Sequence, residues 1–295
     1  MYDLIIIGMG ISGISASIYA KRAGLKVLLL EGNAPGGTIN QISNIENYPG
    51  FASISGPDLA YNLFEEVNKM KIEYKLEKVT DVILDGISKI VKTTNNVYES
   101  KYLLIASGRR PKMLGLKGEE KFFGRGISTC ALCDGALYKN SDVAVIGGGS
   151  SALSEALYLA NIVNKVYLIH RRDEFRGENT LIKEIKAQDN IELILNNEVT
   201  SLQIENDTLT GLILKDGQKI AVTGIFIYIG FIPNTDFLTS TNINMADGYI
   251  IVDEHHETNI KGVYASGDVT KKEIYQIVNA ASEGAEAVVY MTNHH

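Results

Sequence analysis

At 295 residues the chain is too long for most single cores and suits two domains of ordinary size. With 45% hydrophobic and 21% charged residues it reads as an ordinary soluble globular protein, and no apolar run approaches the roughly 20 residues that a membrane-spanning helix needs. A formal charge of −7, with no basic run longer than a pair or so, leaves no electrostatic footprint for nucleic acid but keeps a soluble protein partner open.

The opening apolar run, Leu4 to Ile7, breaks at Gly8 and lacks the charged lead and cleavage site of a signal peptide, so a cytoplasmic location is expected. It reads as a β-strand that meets Gly8-x-Gly10-x-x-Gly13. A small-residue helix pattern follows to Arg22, then a stop at Gly24 and a second strand, KVLLLE, ending in Glu31. Together these make the βαβ dinucleotide fingerprint in its full context. The glycines let the backbone turn tightly and approach a pyrophosphate, which sits where the unpaired N–H groups of a helix N-terminus point at it. Glu31, eighteen residues past Gly13, is placed to accept hydrogen bonds from a ribose 2′-OH.

An apolar strand then ends in G-x-x-P at LLIASGRRP, Leu103 to Pro111. Proline cannot continue a ladder and biases the residue before it towards extended chain, so this segment reads as an exit from a sheet. Beyond it STCALCDG holds both cysteines of the chain, Cys130 and Cys133, followed by Asp134. Two cysteines are no structural disulfide scaffold, and a close pair is either redox-active, metal-binding or an inert buried pair. A tetrahedral zinc site needs four N or S ligands; the remaining histidines are His170, the His255-His256 pair and a terminal pair, so no metal is expected. A helix start at DGALY would suit closure of a small redox ring and a stabilised thiolate. Asp134 is either an N-terminal helix acid or the group that moves a proton for a thiol–disulfide pair.

The nucleotide pattern then returns. Strand Val143 to Ile146 leads into Gly147-x-Gly149-x-x-Ala152 with Ser150 at the helix start, a helix to about Asn161, and the strand KVYLIH. Eighteen residues after Ala152 stands His170, followed by Arg171 and Arg172, with Arg176 beyond. The acid of the first half has become a basic cluster, which binds a 2′-phosphate with forked, charge-assisted bonds and so prefers NADPH over NADH. A second G-x-x-P exit, FIYIGFIP from Phe226 to Pro233, closes this module. The chain returns to a strand ending at Gly267-Asp268 and a helix from about Tyr275 to Met291, with His294 and His295 set aside as a possible tag remnant. The pattern predicts an α/β fold of two Rossmann-like nucleotide-binding domains, the second inserted into the first. Residues 1–111 and 234–295 would form the FAD domain and 112–233 the NADPH domain carrying the CxxC, with the two linkers as a hinge. Two nucleotide sites and a dithiol make an electron path only if one nucleotide carries a flavin, which accepts hydride and passes electrons to sulfur.

In order, GMGISG, PGG at Pro35 to Gly37, IENYPGF, ASG, CALCDG, GGGSSA, HRRDEFR, IGFIPNT and GVYASGDV resemble the low-molecular-weight thioredoxin reductases over essentially the whole length. The resemblance implies that Gly8, Gly10, Gly13, Glu31, Gly37, Asn47 and Asp268 contact FAD, with Gln276 near the flavin ring. It implies that Gly149, Ser150, Arg171, Arg172 and Arg176 contact NADPH. Cys133 matches the flavin-proximal sulfur, Cys130 the sulfur that attacks thioredoxin, and Asp134 the acid–base residue. It further implies a homodimer whose domains rotate between half-reactions. The sequence departs from the family pattern at Ser150 (usually Asp), Ser154 (commonly Glu), Thr38 (usually Gln or similar) and Tyr275 (usually Arg, so that a charge is removed). These departures motivate an alternative in which the same relay is fed by ferredoxin or run as a disulfide oxidase, although the intact HRR argues against ferredoxin. An alternative of another class is a non-catalytic nucleotide- or metal-binding module.

Overall fold

The computed structural model describes residues 1–42 and 44–294. The chain divides into two units, Met1–Arg110 with Ile232–His295, and Pro111–Phe231. The first opens with β1 (Tyr2–Ile7), α1 (Ile11–Arg22), β2 (Val27–Leu30), α2 (Gly56–Lys69), β3 (Glu73–Lys75), β4 (Val79–Ile83), β5 (Lys89–Thr93), β6 (Val97–Ile105) and β7 (Arg109–Pro111). The inserted unit follows with α3 (Glu119–Phe122), β8 (Ile127–Ser128), α4 (Ala131–Asp134), β9 (Asp142–Gly147), α5 (Ser150–Ala160), β10 (Lys165–Ile169) and α6 (Asn179–Ala187). It continues through β11 (Ile191–Ile194), β12 (Val199–Glu205), β13 (Thr208–Leu214), β14 (Lys219–Ala221) and β15 (Gly224–Tyr228). The chain then runs through β16 (Phe231–Pro233), β17 (Met245–Ala246), β18 (Tyr249–Ile250), β19 (Val263–Ala265) and α7 (Ile277–His294).

In the first unit one sheet runs β3-β2-β1-β6-β5-β4, with β19 also on β6. The long strand β6 makes this possible. Its first half pairs antiparallel with β5, whereas Leu103 to Ile105 pair parallel with Val263 to Ala265. From Leu4 on β1, and throughout β2, the strands are unbroken apolar runs because both faces of the sheet are covered. Leu4 and Ile6 face a core completed by α1 and α7, while Ile5 and Ile7 face a second core with Val82, Leu103 and Val263. The inserted unit repeats the device with an all-parallel sheet, β11-β10-β9-β15-β8, and adds an antiparallel three-stranded sheet, β12-β13-β14.

Helices α1 and α7 meet through small residues. Ser15 Oγ donates to the Ala281 carbonyl at 2.7 Å, and a Cβ placed on Gly284 would lie 2.1 Å from the Ser12 carbonyl oxygen. The last helix starts two residues later than its sequence pattern suggests, because the Gln276 carbonyl, still outside the helix, accepts the Ala280 N–H that closes its first turn. His294, set aside in the sequence reading, belongs to α7 and stacks on Tyr290 with ring centroids 4.3 Å apart; His295 lies outside the described residues. Among the described residues no helix is long and apolar enough to cross a membrane.

The α1–α7 contact gives the first prediction. Gly284→Ala forces the two helices apart and lowers the stability of the protein by about 1–3 kcal/mol. It appears as a lower urea midpoint with an unchanged slope.

Candidate active site

In the first unit the chain leaves β1 at Gly8 with φ of 108°, and a side chain there would strike the Ala106 carbonyl oxygen at 2.3 Å. The next turn is closer still. A Cβ on Gly13 would lie 1.9 Å from the Gly8 carbonyl oxygen, so only glycine lets α1 begin directly against the end of the strand. Gly10 is the N-cap of α1 and brings no side-chain cap, which leaves the first N–H groups of the helix turned outwards without a side-chain acceptor. Gly36 donates its N–H to the Met9 carbonyl at 2.8 Å, and Gly37 lies against Gly10, its would-be Cβ 3.6 Å from the Gly10 Cα. Gly10 has open space around the position of its absent side chain, and this bare cradle at the helix N-terminus fits the pyrophosphate of a dinucleotide.

Glu31 follows β2 directly. Its carboxylate accepts the Met9 N–H at 2.8 Å and the Asn33 N–H at 2.8 Å, so it braces the glycine loop and retains lone pairs for a ribose. Asn47 and Gln276, far apart in the chain, meet through an Nδ2–H to Oε1 bond of 3.2 Å. Asp268 lies in the 3-10 turn after β19 and forms an ion pair with Arg109 Nε at 2.9 Å. Burial pushes its carboxyl up, and the Arg109 guanidinium opposes that. The same guanidinium lies over the Tyr275 ring, 4.5 Å from its centroid. The charge expected to be lost at position 275 is therefore supplied from Arg109, with the tyrosine as its platform.

In the inserted unit Gly149 caps α5, again without a side-chain cap, and Gly147 and Ala152 face one another across the junction. Ser150 Oγ accepts the Glu178 N–H at 3.2 Å and so ties the helix start to the loop after β10. The His170 ring packs directly under Gly148, where a Cβ would meet it at 2.4 Å, and stacks on Phe175. Burial, with the nearby Arg171 and Arg176 charges, pushes the His170 imidazole down, so it is neutral at pH 7 and shapes the pocket without adding charge. Arg171, Arg172 and Arg176 are exposed, and Arg176 donates its N–H to the Gly148 carbonyl at 2.7 Å, which brings the basic loop back to the glycine turn. Ion-pair partners suited to these guanidinium groups are dianionic phosphate oxygens.

Cys130 and Cys133 form a disulfide. The helical turn expected at DGALY is present as a 3-10 turn, and a further turn precedes it. Cys130 is itself the N-cap of the single turn α4, its Sγ accepting the Cys133 N–H at 3.1 Å, and a 3-10 turn over Gly135–Tyr138 follows. Asp134 thus ends the redox turn and is at the same time the N-cap residue of the 3-10 turn, to which its side chain gives no capping bond. Cys130 is buried and Cys133 exposed. The turn is pinned from β15, where the Tyr228 hydroxyl accepts the Ala131 N–H at 2.9 Å.

Two residues that sequence reasoning missed lie behind this turn. Tyr228 is one, and burial raises its hydroxyl, with the Glu155 and Asp134 carboxylates adding to that effect. Glu155, on α5, is the other; burial alone pushes its carboxyl up to about 7. Its signal was in the sequence, since it falls three residues after Ala152 and four before Leu159, on the stripe that α5 turns to the core. Among the described residues no group of three or more His, Cys, Asp or Glu could hold a metal ion.

The family described as pyridine nucleotide-disulphide oxidoreductase matches residues 2–284. The thioredoxin reductase of Bacillus subtilis is 36% identical over 292 residues, which span 97% of this chain and 92% of its own. That of Mycoplasma genitalium is 39% identical over 300 residues, 98% and 94% of the two chains. A crystal structure of Lactococcus lactis thioredoxin reductase in its FR conformation matches with a TM-score of 0.93 at 36% identity, covering 99% of both chains.

Glu155 sets a pH dependence of stability. Its folded value of about 7 stands above the ordinary 4.5, so its contribution is fully present below pH 4.5 and is lost as pH rises through about 7. Relative to Glu155→Gln, the wild type loses about 3 kcal/mol over that range, read from urea unfolding at a series of pH values.

Proposed function

From its membership of the pyridine nucleotide-disulphide oxidoreductases, and within them of the thioredoxin reductase family, we propose that this chain carries electrons from NADPH through FAD and the Cys130–Cys133 disulfide to thioredoxin or a similar small dithiol protein. The observation that carries the reading is the disulfide closed within one short turn, in the same unit as a nucleotide fold in which His170-Arg171-Arg172 directly follow β10. Bound FAD supplies the chemistry that no side chain has, accepting a hydride and releasing an electron pair to sulfur.

The chain's own residues do the rest. Gly8, Gly10, Gly13 and Gly37 leave room for the FAD pyrophosphate, Glu31 receives the adenosine ribose, and Asp268, Asn47 and Gln276 hold the flavin end. Gly147, Gly149, Ser150 and Ala152 do the same for NADPH, while Arg171, Arg172 and Arg176 select its 2′-phosphate above the His170 floor. Opening the disulfide consumes two electrons and leaves one thiol and one thiolate; Asp134, at the end of the turn, moves the proton. Cys130 then attacks the partner's disulfide, and Cys133 resolves the mixed disulfide. The working form is a homodimer located in the cytoplasm, a reading supported by the resemblance to the thioredoxin reductases. The basic cluster in register with Glu31 favours NADPH over ferredoxin as the donor.

Anaerobic addition of NADPH to the FAD-loaded protein bleaches the flavin absorbance; a flavin that responds only to dithionite would remove NADPH as donor. Replacing Arg171 and Arg172 together with Ala raises the KM for NADPH roughly 10- to 100-fold, the loss of charged hydrogen bonds, and changes that for NADH little.

The two sulfurs are separated by single substitutions. Cys133→Ser retains bleaching by NADPH, loses thioredoxin reduction, and traps a mixed disulfide through Cys130 with a thioredoxin whose one remaining, attacking-site cysteine is first activated as a disulfide with an aromatic thiol, which leaves as the free thiol. A trap formed by Cys130→Ser instead would reverse the two roles.

A further inference from the structure

Glu77, Lys89, Glu119 and Glu155 are buried charged side chains, and the first three are fully engaged. Glu77 accepts from Thr93, Asn96 and Tyr98, Lys89 donates to the carbonyls of Leu84 and Gly86, and Glu119 accepts the N–H groups of Leu114, Gly115 and Leu116. Glu155 differs. It is 7% exposed, and its Oε2 is buried with no hydrogen-bond partner. An unpaired buried carboxylate is costly to keep, so its position calls for a use.

That position is directly behind the redox turn. Helix α5 turns Ala152, Ala156 and Leu159 into the core that also contains Ala131, the residue between the cysteines, and Tyr228 is packed against this core. The Tyr228 hydroxyl holds the Ala131 N–H and lies within electrostatic reach of both Glu155 and Asp134. The other ionisable groups on elements packed against α5 are Lys183, Glu184 and Lys186 on α6, Lys165 and Tyr167 on β10, and Asp142 on β9. None of them shifts the Glu155 carboxyl, which responds to burial alone. The redox turn α4 packs against α5 as well, and a thiolate formed there adds a charge that the disulfide state lacks.

We propose that Glu155 is a positioning residue for the Cys130–Cys133 couple, taking up a proton when the disulfide opens and releasing it when the dithiol is reoxidised. This rests on the reading of the pair as the redox centre. In balance, the electron pair from the established activity breaks the S–S bond, and one proton makes one sulfur a thiol while the other remains a thiolate. A second proton from solvent neutralises the Glu155 carboxylate, because two like charges in a low-dielectric site disfavour one another. When a partner disulfide accepts the electron pair, both protons leave. The thiolate charge is thus offset without a cation near the turn.

The test equilibrates FAD-loaded wild type and Glu155→Gln with glutathione redox buffers from roughly pH 6 to pH 8.5, and counts Cys130 and Cys133 thiols by alkylation and mass measurement. Each additional proton taken up makes the reduction equilibrium tenfold steeper per pH unit. Around neutral pH the wild type is steeper than Glu155→Gln by up to about tenfold per pH unit; equal steepness in the two proteins overturns the proposal. A pair that glutathione and stronger dithiols leave oxidised at every pH would instead overturn the redox reading beneath it. If Glu155→Gln does not fold, the infrared difference between disulfide and dithiol wild type decides. A protonated-carboxyl band that grows on reduction near neutral pH and persists in Asp134→Asn supports Glu155, and its absence from both proteins rejects it.

Discussion

A parallel strand that hands over to a helix in a single turn is the constraint on which both units depend. In the first unit the handover is so tight that Gly13 meets the Gly8 carbonyl, and no side chain fits between them. In the second it is looser by one methyl group, with Ala152 in the third position and Gly147 adopting φ of 152° opposite it. Tightness has a chemical result: α1 and α5 begin at the carboxyl end of a sheet with no side-chain cap, where an anion finds donors and a favourable dipole. The cores on both sheet faces hold this geometry, since β1 and β9 cannot shift without exposing residues packed on two sides.

The same register joins nucleotide chemistry to sulfur chemistry in the inserted unit. Strand β15 pairs with β9 so that Tyr228 stands opposite Gly147, and the Tyr228 carbonyl lies where a Gly147 side chain would have to go. Its backbone therefore shapes the glycine turn while its hydroxyl holds the redox turn through Ala131. One residue thus fixes two loops whose functions must be coordinated. A two-residue strand, β8, delivers the chain to Cys130 beside β15, and the disulfide turn needs no long helix to support it.

Much of this was legible in the sequence because glycine spacing, strand runs and the acid or base eighteen residues on are local patterns with one physical solution. Gly8, Gly13 and Glu31, and Gly149 with Arg171, stand where a strand–turn–helix unit requires them. Residues that act across the chain were not legible. The sequence shows Tyr275 as a lost charge, but not that Arg109 lies over its ring; the partner is far along the chain and becomes visible only when β19 has paired with β6. A helical turn does start at DGALY, but the one-turn helix before it, Ala131–Asp134, was not legible for a different reason. A cysteine is a poor N-cap by propensity, yet here Cys130 Sγ accepts the Cys133 N–H.

The half-buried Asp268 and the buried Glu155, both with raised carboxyls, show two solutions to one cost. Asp268 has a guanidinium at 2.9 Å, so its charge is retained and its direction fixed, as a residue that orients a bound group requires. Glu155 has no cation and is surrounded by apolar side chains where Leu or Met would pack without a desolvation penalty. A chain selected for stability alone would gain by such a replacement. An acid poised between its two protonation states beside a thiol–disulfide pair is useful because its charge is cheap to change. The pairing that would make it stable would also make it unresponsive.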